Sequence, residues 1–567
     1  MQLESTFSPT RVPRLPFFNA RWAWVAAIVA LVALSLIQAG VFGGATLINS
    51  GGWTLTGQFA QAALQPKLSV EFLILTLNAS LITLAFALCG TSLSLIIGVI
   101  GGVLSSEVWW QAVSPQSRRA RGVWWSVRAG LSLPRAIHEV IWGLFFVNIL
   151  GLNPLAAILA IAIPFGAITA KVFSEILDET SRAPLRALLN SGASPSTAFL
   201  YSLVPQSISS LLSYTFYRLE CSIRSAAVLG VIGAGGLGYE IWLSFQSLRY
   251  HEMWTLIFAL IILSGAVDMW SSQLRRRFGG SPRLQLVTCQ TASVTKPTYK
   301  HDRLVTFSLI VLAILIPLSF WYVRADFGTL FTPRAAKLFV GVLSDSFPPT
   351  LDFILLQELA RHTLHTLAMS VLAITLAAFG GLMCAFPAAQ NFLALNGVLS
   401  RQHRNVMTLM ILAPTRFVLL TLRAIPASVW ALVLLFVFFP GILPGALALG
   451  VYTLGILGRL MAEVIESLDE RPLYALKASG ATGAQIFFYA VLPRAVPAFL
   501  SYVLYRLEVC ARETVIIGVV GAAGLGRVLA EQLSNFDYRS VLTTLLFFIA
   551  LTIFVDMIGV FARRAMR

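Results

Sequence analysis

Residues 213–238 read SYTFYRLECSIRSAAVLGVIGAGGLG: an apolar helix carrying Arg218, Glu220 and Arg224 that ends in glycine at Gly230, Gly233, Gly235, Gly236 and Gly238. The chain says this again 288 residues later as SYVLYRLEVCARETVIIGVVGAAGLG, residues 501–526, and 14 of the 26 positions agree without a gap. An apolar helix with the same internal charges, stated twice, predicts a duplicated membrane machine. The match extends outward at the same spacing, through Arg135 and Arg423, Trp142 and Trp430, Gly192 and Gly480, Pro205 and Pro493, and Asp268 and Asp556.

Composition fixes the class. Of 567 residues, 57% are hydrophobic and 12% charged, with a mean hydropathy of +0.80; a soluble domain carries roughly 25% charge. Such a chain keeps most of its length in the lipid bilayer. The formal net charge of +16 invites a nucleic-acid partner, but basic residues gathered at the cytosolic ends of membrane helices give the same excess. No nucleic acid is expected. The five cysteines stand singly with no CxxC, so neither a disulfide framework nor a metal site is implied.

Residues 1–21 are polar and basic and read as cytosolic. The stretch from Trp22 to Phe42 is long enough to cross a bilayer of ~30 Å at 1.5 Å per residue. It lacks a small-residue cleavage site, so it reads as a retained span rather than a signal peptide. Further spans are predicted near 77–104, after Pro134 and over Pro154–Val172, with Arg118, Arg119, Arg121 and Arg128 in an inner loop. Residues 213–238 form the fifth span. Met253–Trp270, closed by Arg275, Arg276 and Arg277, is the sixth.

After a linker the pattern restarts at Leu304. An outer segment, 324–361, holds Arg324, Arg334, Lys337 and Arg361 against the positive-inside rule. Arg401, Arg404 and Arg416 then mark an inner loop, and the last span ends in Arg563, Arg564 and Arg567. The expectation is an all-α polytopic membrane protein of about twelve transmembrane helices. It comprises two parallel six-helix repeats, 1–277 and 304–567, joined by a cytosolic linker at 278–303, with both termini cytosolic. Parallel repeats place a shared pathway between them.

Each half also carries a polar block between its fourth and fifth spans: PLRALLNSGASPSTAFLYSLVPQ (Pro184–Gln206) and PLYALKASGATGAQIFFYAVLPR (Pro472–Arg494). A helix-forming run ends at glycine, Ser194 or Thr482 can cap a second run, and a proline precedes the next span. The pattern describes a short helix lying at the cytosolic surface, where another protein can grip it. An ordinary amphipathic interface helix fits it too.

Short helix, Gly-Ala-Ser and Leu-Pro together resemble the coupling loop in permease subunits of binding-protein-dependent ABC importers. The motif YRLE…R…LG-VIGAGGLG resembles the phosphonate importer permeases in particular, with methionine-type permeases a more distant relation. The usual permease of that family is a six-span chain acting as a pair, and this chain resembles both partners fused. The resemblance implies import of a phosphonate, phosphite or hypophosphite across a bacterial plasma membrane (the inner membrane in a Gram-negative cell). It further implies two ATP-binding cassette subunits on the cytosolic side and one external solute-binding protein. The subunits would dock through Arg186, Ala187, Gly192, Ala193, Ser194 and Pro205 in one loop. In the other they would meet Tyr474, Ala475, Gly480, Ala481, Thr482 and Pro493. The family loop usually has Glu six residues before the glycine; Arg186 and Tyr474 stand there instead.

No GxxxxGK[ST] occurs in the chain, and GAGGLG follows a membrane helix with no strand before it. The chain therefore reads as a transport subunit and not an enzyme. It needs no cofactor of its own, and ATP and magnesium belong to its partners. Gly230, Gly233, Gly236 and Gly238, with Gly518, Gly521, Gly524 and Gly526, either let a helix bend as a gate or let helices pack closely.

A charge at the centre of a span costs ~2.5–3.5 kcal/mol, so these charges should face protein or water. Glu220–Arg224 and Glu508–Arg512 are spaced to pair along one helix, which is a structural role. Arg218 and Arg506 have no acid four residues away. With Tyr217 and Tyr505 they can present donors to a small oxyanion in transit. The second copy has Glu513 where the first has Ser225, so the two walls are not equivalent.

Other readings stay open. The same kind of permease can carry another small solute, such as phosphate or methionine. An ion-coupled secondary transporter would share the spans and the repeat, but would not need the two loops. A membrane enzyme needs a clustered metal or acid–base set; among six histidines, only His362 and His365 come near to a ligand pair.

Overall fold

The computed structural model describes residues 20–42, 47–114, 117–277, 303–390, 406–469 and 471–566. The linker at 278–302, Arg401 and Arg404 of the inner loop, and both chain ends lie outside the described residues. The first half runs α1 (Ala20–Gln38), α2 (Gly52–Ala62), α3 (Val70–Ser105), α4 (Glu107–Val113), α5 (Arg118–Ala136), α6 (Glu139–Leu150), α7 (Pro154–Glu179), α8 (Ala183–Asn190), α9 (Pro195–Leu229), α10 (Leu237–Gln246) and α11 (Tyr250–Arg277). The second half repeats the order: α12 (Arg303–Tyr322), α13 (Pro333–Ser346), α14 (Phe353–Ala388), α15 (Val406–Ala424), α16 (Ala427–Val437), α17 (Ile442–Glu466), α18 (Arg471–Ala478), α19 (Gly483–Ile486), α20 (Leu492–Val519), α21 (Leu525–Ser534) and α22 (Tyr538–Met566).

Eight of the described helices are long and apolar enough to cross a membrane unbroken, and three bent pairs bring the number to as many as 11. The shorter apolar helix α1 stands beside them. Three predicted spans are thus not straight rods, and the one that includes residues 213–238 bends by 53°. The span after Pro134 is α5 plus α6, bent by 86°, and its counterpart α15 plus α16 is bent by 90°. Arg118, Arg119, Arg121 and Arg128 consequently lie on α5 and not in a loop. The break falls at Ile137–His138, where the backbone is extended and the imidazole Nδ1 of His138 accepts the Val140 N–H at 3.2 Å. In the second half, extended Pro426 stands at that corner.

The core of each half is one long helix pair, α3 on α7 and α14 on α17. Small residues allow the approach, as in membrane helices generally. A side chain at Gly98 would stand 2.5 Å from Thr169 of α7, and one at Gly102 would stand 2.7 Å from Phe173. The first helix of each half packs on the other half's long helix, α1 on α14 and α12 on α3. The helices that follow also cross over: α2 packs on α16 as well as α11, and α13 on α6 as well as α22. These four helices therefore cross between the halves, α2 and α13 doing so at the ends where α3 and α14 begin. The short helices α8 and α18 sit at the opposite end.

Candidate translocation seam and coupling loops

The repeated stretch does not form one straight span. α9 passes into a π turn over Gly230–Ala234, where Ile232 (φ −92°, ψ 15°) and Gly233 (φ 98°) leave helical geometry, and α10 departs at 53°. In the second copy α20 ends at Val519 and α21 starts at Leu525. The glycines turn the chain and let its two arms pack closely. Gly233 and Gly236, like Gly521 and Gly524, have positive φ and make the turn. Gly230, Gly238, Gly518 and Gly526 bring the two arms into backbone contact. A Cβ on Gly238 would lie 1.8 Å from the Ala227 carbonyl oxygen, and one on Gly526 would lie 2.6 Å from the Val515 Cα. Each turn is closed by a threonine of the long helix. Thr83 Oγ1 accepts the Leu237 N–H at 2.8 Å, and Thr366 Oγ1 accepts the Leu525 N–H at 2.9 Å. These threonines went unread in the sequence because they are 283 residues apart, outside the 288 register.

The charges on α9 and α20 lie buried between the halves. Glu220 pairs with Arg224 at 3.5 Å as the spacing predicts, but it also faces Arg275 of α11 at 3.7 Å and Arg423 of α15 at 3.3 Å. Arg423 donates to Asp268 at 2.5 Å as well. The expected self-contained Glu–Arg couple is in fact part of a network reaching into the other half. Arg423 and Asp268 were visible in the sequence only as members of the repeat. In the second half, Arg512 meets Glu508 at 3.3 Å and donates to the backbone carbonyl of Arg135 at 3.2 Å.

Arg218 and Arg506 separate. Arg218 is 8% exposed, with its guanidinium over the Phe165 ring at 3.9 Å, and its Nε and Nη2 are buried with no hydrogen-bond partner. Arg506, 7% exposed, has an acid after all, two turns on: Glu513 lies 3.3 Å from its Nη2. Tyr505 of the second half lies within electrostatic reach of Arg218, and Tyr217 of the first half within reach of Arg506. Arg218 thus lies between α9 and α7 and Arg506 between α20 and α17, each on the helix that carries the inter-half charges.

The two polar blocks form the expected short helix and turn. α8 ends at Ser191–Gly192, with Gly192 at φ 89° and the Ala193 N–H on the Leu188 carbonyl. α18 ends in the same way, with Gly480 at φ 86° and the Ala481 N–H on the Leu476 carbonyl. Ser194 caps α9 through the Thr197 N–H, and Thr482 forms a capping box with Gln485. Arg186, Ala187, Tyr474 and Ala475 lie on the two short helices. One expectation changes. The second run is not a separate helix ending at proline: α9 continues through Pro205 into the span, and α19 reaches α20 through a π turn at Phe487–Val491, just before Pro493. A proline removes one helical hydrogen bond, and the buried Ala198, Phe199 and Leu203 hold the helix across that gap.

A duplicated helical bundle with broken central spans and paired surface helices defines a membrane permease. The chain belongs to the family described as binding-protein-dependent transport system inner membrane component, which it matches over residues 98–279 and 411–567. It is the permease component of an ABC importer, with the family region present twice. Similar proteins include the phosphate-import permease protein PhnE of Mycolicibacterium smegmatis, 27% identical over 430 residues that make up 75% of each chain. The phosphite transport system permease protein PtxC of Stutzerimonas stutzeri is 33% identical over 250 residues, 44% of this chain and 84% of its own. Among solved structures, the inward-facing MetNI methionine ABC transporter covers 37% of this chain and 99% of its own, at 22% identity and a TM-score of 0.33.

Proposed function

We propose that this chain forms the whole translocation pathway of an ATP-driven importer for a small phosphorus oxyanion, of the class that includes phosphonate, phosphite and phosphate. The observation that carries this reading is Arg218, a nine-tenths buried guanidinium on the inter-half helix whose Nε and Nη2 have no partner. A buried donor without an acceptor is costly to leave unmade, and a tetrahedral oxyanion supplies acceptors in the geometry that a guanidinium reads. The names of the relatives point to the same chemical class. Tyr217 and Tyr505 border the path, and the Glu220–Arg224 and Glu508–Arg512 couples hold its walls. Replacing Arg218 by Gln keeps hydrogen bonding and removes the charge. Uptake of phosphite, phosphate or methylphosphonate should fall at least tenfold at unchanged membrane level, and normal uptake would leave the arginine as scaffold.

In the assembly that follows from this reading, one copy of the chain meets two ATP-binding cassette subunits at α8 and α18 and one solute-binding protein on the opposite face. ATP and magnesium sit in the cassette subunits, and both termini of the permease are cytosolic, in a bacterial plasma membrane. Native mass measurement of the purified complex should give one permease chain per two cassette subunits. Two permease chains per complex would rule this out.

A further inference from the structure

The two arginines occupy equivalent positions, and in both Nε is buried without a partner, yet only Arg506 has an acid on its Nη2. Arg506 Nη2 lies 3.3 and 3.5 Å from the two carboxylate oxygens of Glu513, and 3.4 Å from Thr453 Oγ1. The residues 288 positions earlier are Ser225 and Phe165. Both partners of Arg506 are therefore replaced around Arg218, one by a hydroxyl and one by a ring. The Ser225 hydroxyl is committed elsewhere: it donates to Glu139 Oε1 at 2.7 Å. The other oxygen of Glu139 faces His138 Nε2 at 3.1 Å, so that acid is engaged too. Phe165 sits under the Arg218 guanidinium at 3.9 Å. A ring face steadies the charge but accepts none of the in-plane N–H bonds, and Nε and Nη2 are left open.

We infer that Glu513 masks Arg506, so that of the two repeat-related arginines Arg218 alone is offered to the passing anion without an acid, and that Glu513 sets how strongly the pathway holds its cargo. This inference rests on reading these arginines as pathway residues. The physics favours one free charge. Two unmasked guanidiniums in one pathway would repel each other when empty and would clamp a dianion between them. Either effect works against transit.

Rescue is the test. Uptake of radiolabelled phosphate, phosphite and methylphosphonate is measured in cells carrying the full importer, with permease level followed in membranes. R218Q should lose at least tenfold. Adding E513Q should return uptake to at least one third of wild type, because Arg506 is freed to replace the lost guanidinium, and E513S, which installs the residue found in the first half, should do the same. Doubles present at wild-type level without rescue would overturn the masking. Should neither double reach the membrane, the neutral pair R506Q/E513Q decides: a smaller loss than R218Q upholds the inference, and an equal loss overturns it. Full uptake in R218Q itself would remove the underlying pathway reading, a failure distinct from failure of rescue alone.

Discussion

Glu220 and Glu508 hold the same place in two copies of one helix, and they are held differently. Glu220 faces three guanidiniums from three helices, and Arg423, the one contributed by the other half, also binds Asp268. Glu508 pairs with Arg512 alone among the described residues, and Arg135, the counterpart of Arg423, contributes its carbonyl oxygen to Arg512 instead. The opposite face is unequal as well. There the segment leading into α2 is bound to the other half through backbone, with the Asn49 N–H on the Val437 carbonyl and the Phe439 N–H on the Leu47 carbonyl. A Cβ at Gly52 would stand 1.7 Å from the Phe436 oxygen. On the other side, α13 reaches α6 through an edge-on ring pair, Phe339 with Phe145, at 6.4 Å. A pair of identical chains has to use one set of contacts at both seams. Fusion lets each seam be written separately, so one becomes a lock and the other a looser joint.

The lock gives the largest expected effect. Replacing Glu220 by Gln takes the carboxylate from Arg224 and Arg275 and leaves Arg423 with Asp268 alone, in a site where Glu220 is only 6% exposed. Breaking a buried ion pair from one side costs about 3–5 kcal/mol, and thermal unfolding in detergent should show that loss together with reduced membrane yield. E508Q removes one ion pair and leaves Arg512 its hydrogen bond to the Arg135 carbonyl, so the loss should be smaller. Equal destabilisation by the two changes would mean that the network across the first seam has no energetic weight, and the two seams would count as equivalent.

The sequence showed the repeat, the membrane class and the two surface loops because each is a local pattern: apolar runs, positive flanks, and a glycine followed by a capping Ser or Thr. It also placed Glu220 with Arg224 and Glu508 with Arg512, since four residues is one helical turn. What it did not show depends on three-dimensional neighbours. Nothing in the order of residues says that Arg423 of the second half enters the Glu220 cluster, or that Glu513 turns toward Arg506 while Ser225 turns toward Glu139. The breaks in the third and ninth spans were hidden for a related reason. Only backbone geometry reveals the right-angle corners at Ile137–His138 and at Ile425–Pro426.

The smallest effect on stability should come where the halves agree. Gly192 and Gly480 both end their short helices at positive φ, 89° and 86°, and a Cβ on either would meet nothing within 4 Å. A side chain there encounters no clash, and the cost is confined to holding an L-residue in the left-handed region, about 1–2 kcal/mol. G192V and G480V should therefore melt within that margin of wild type and of each other, and both should reach the membrane in normal amount. Coupling should suffer far more. The turn sets the angle between the short helix and the span that follows, and in the proposed assembly a cassette subunit gripping α8 or α18 would move the span through that angle. ATPase activity of the purified complex should lose its stimulation by ligand-loaded binding protein in the double variant, while basal hydrolysis persists. Stimulated ATPase and uptake at wild-type level in G192V/G480V would show that the turn merely connects two helices. A large loss from one glycine and none from the other would extend the inequality of the two seams to the surface that drives them.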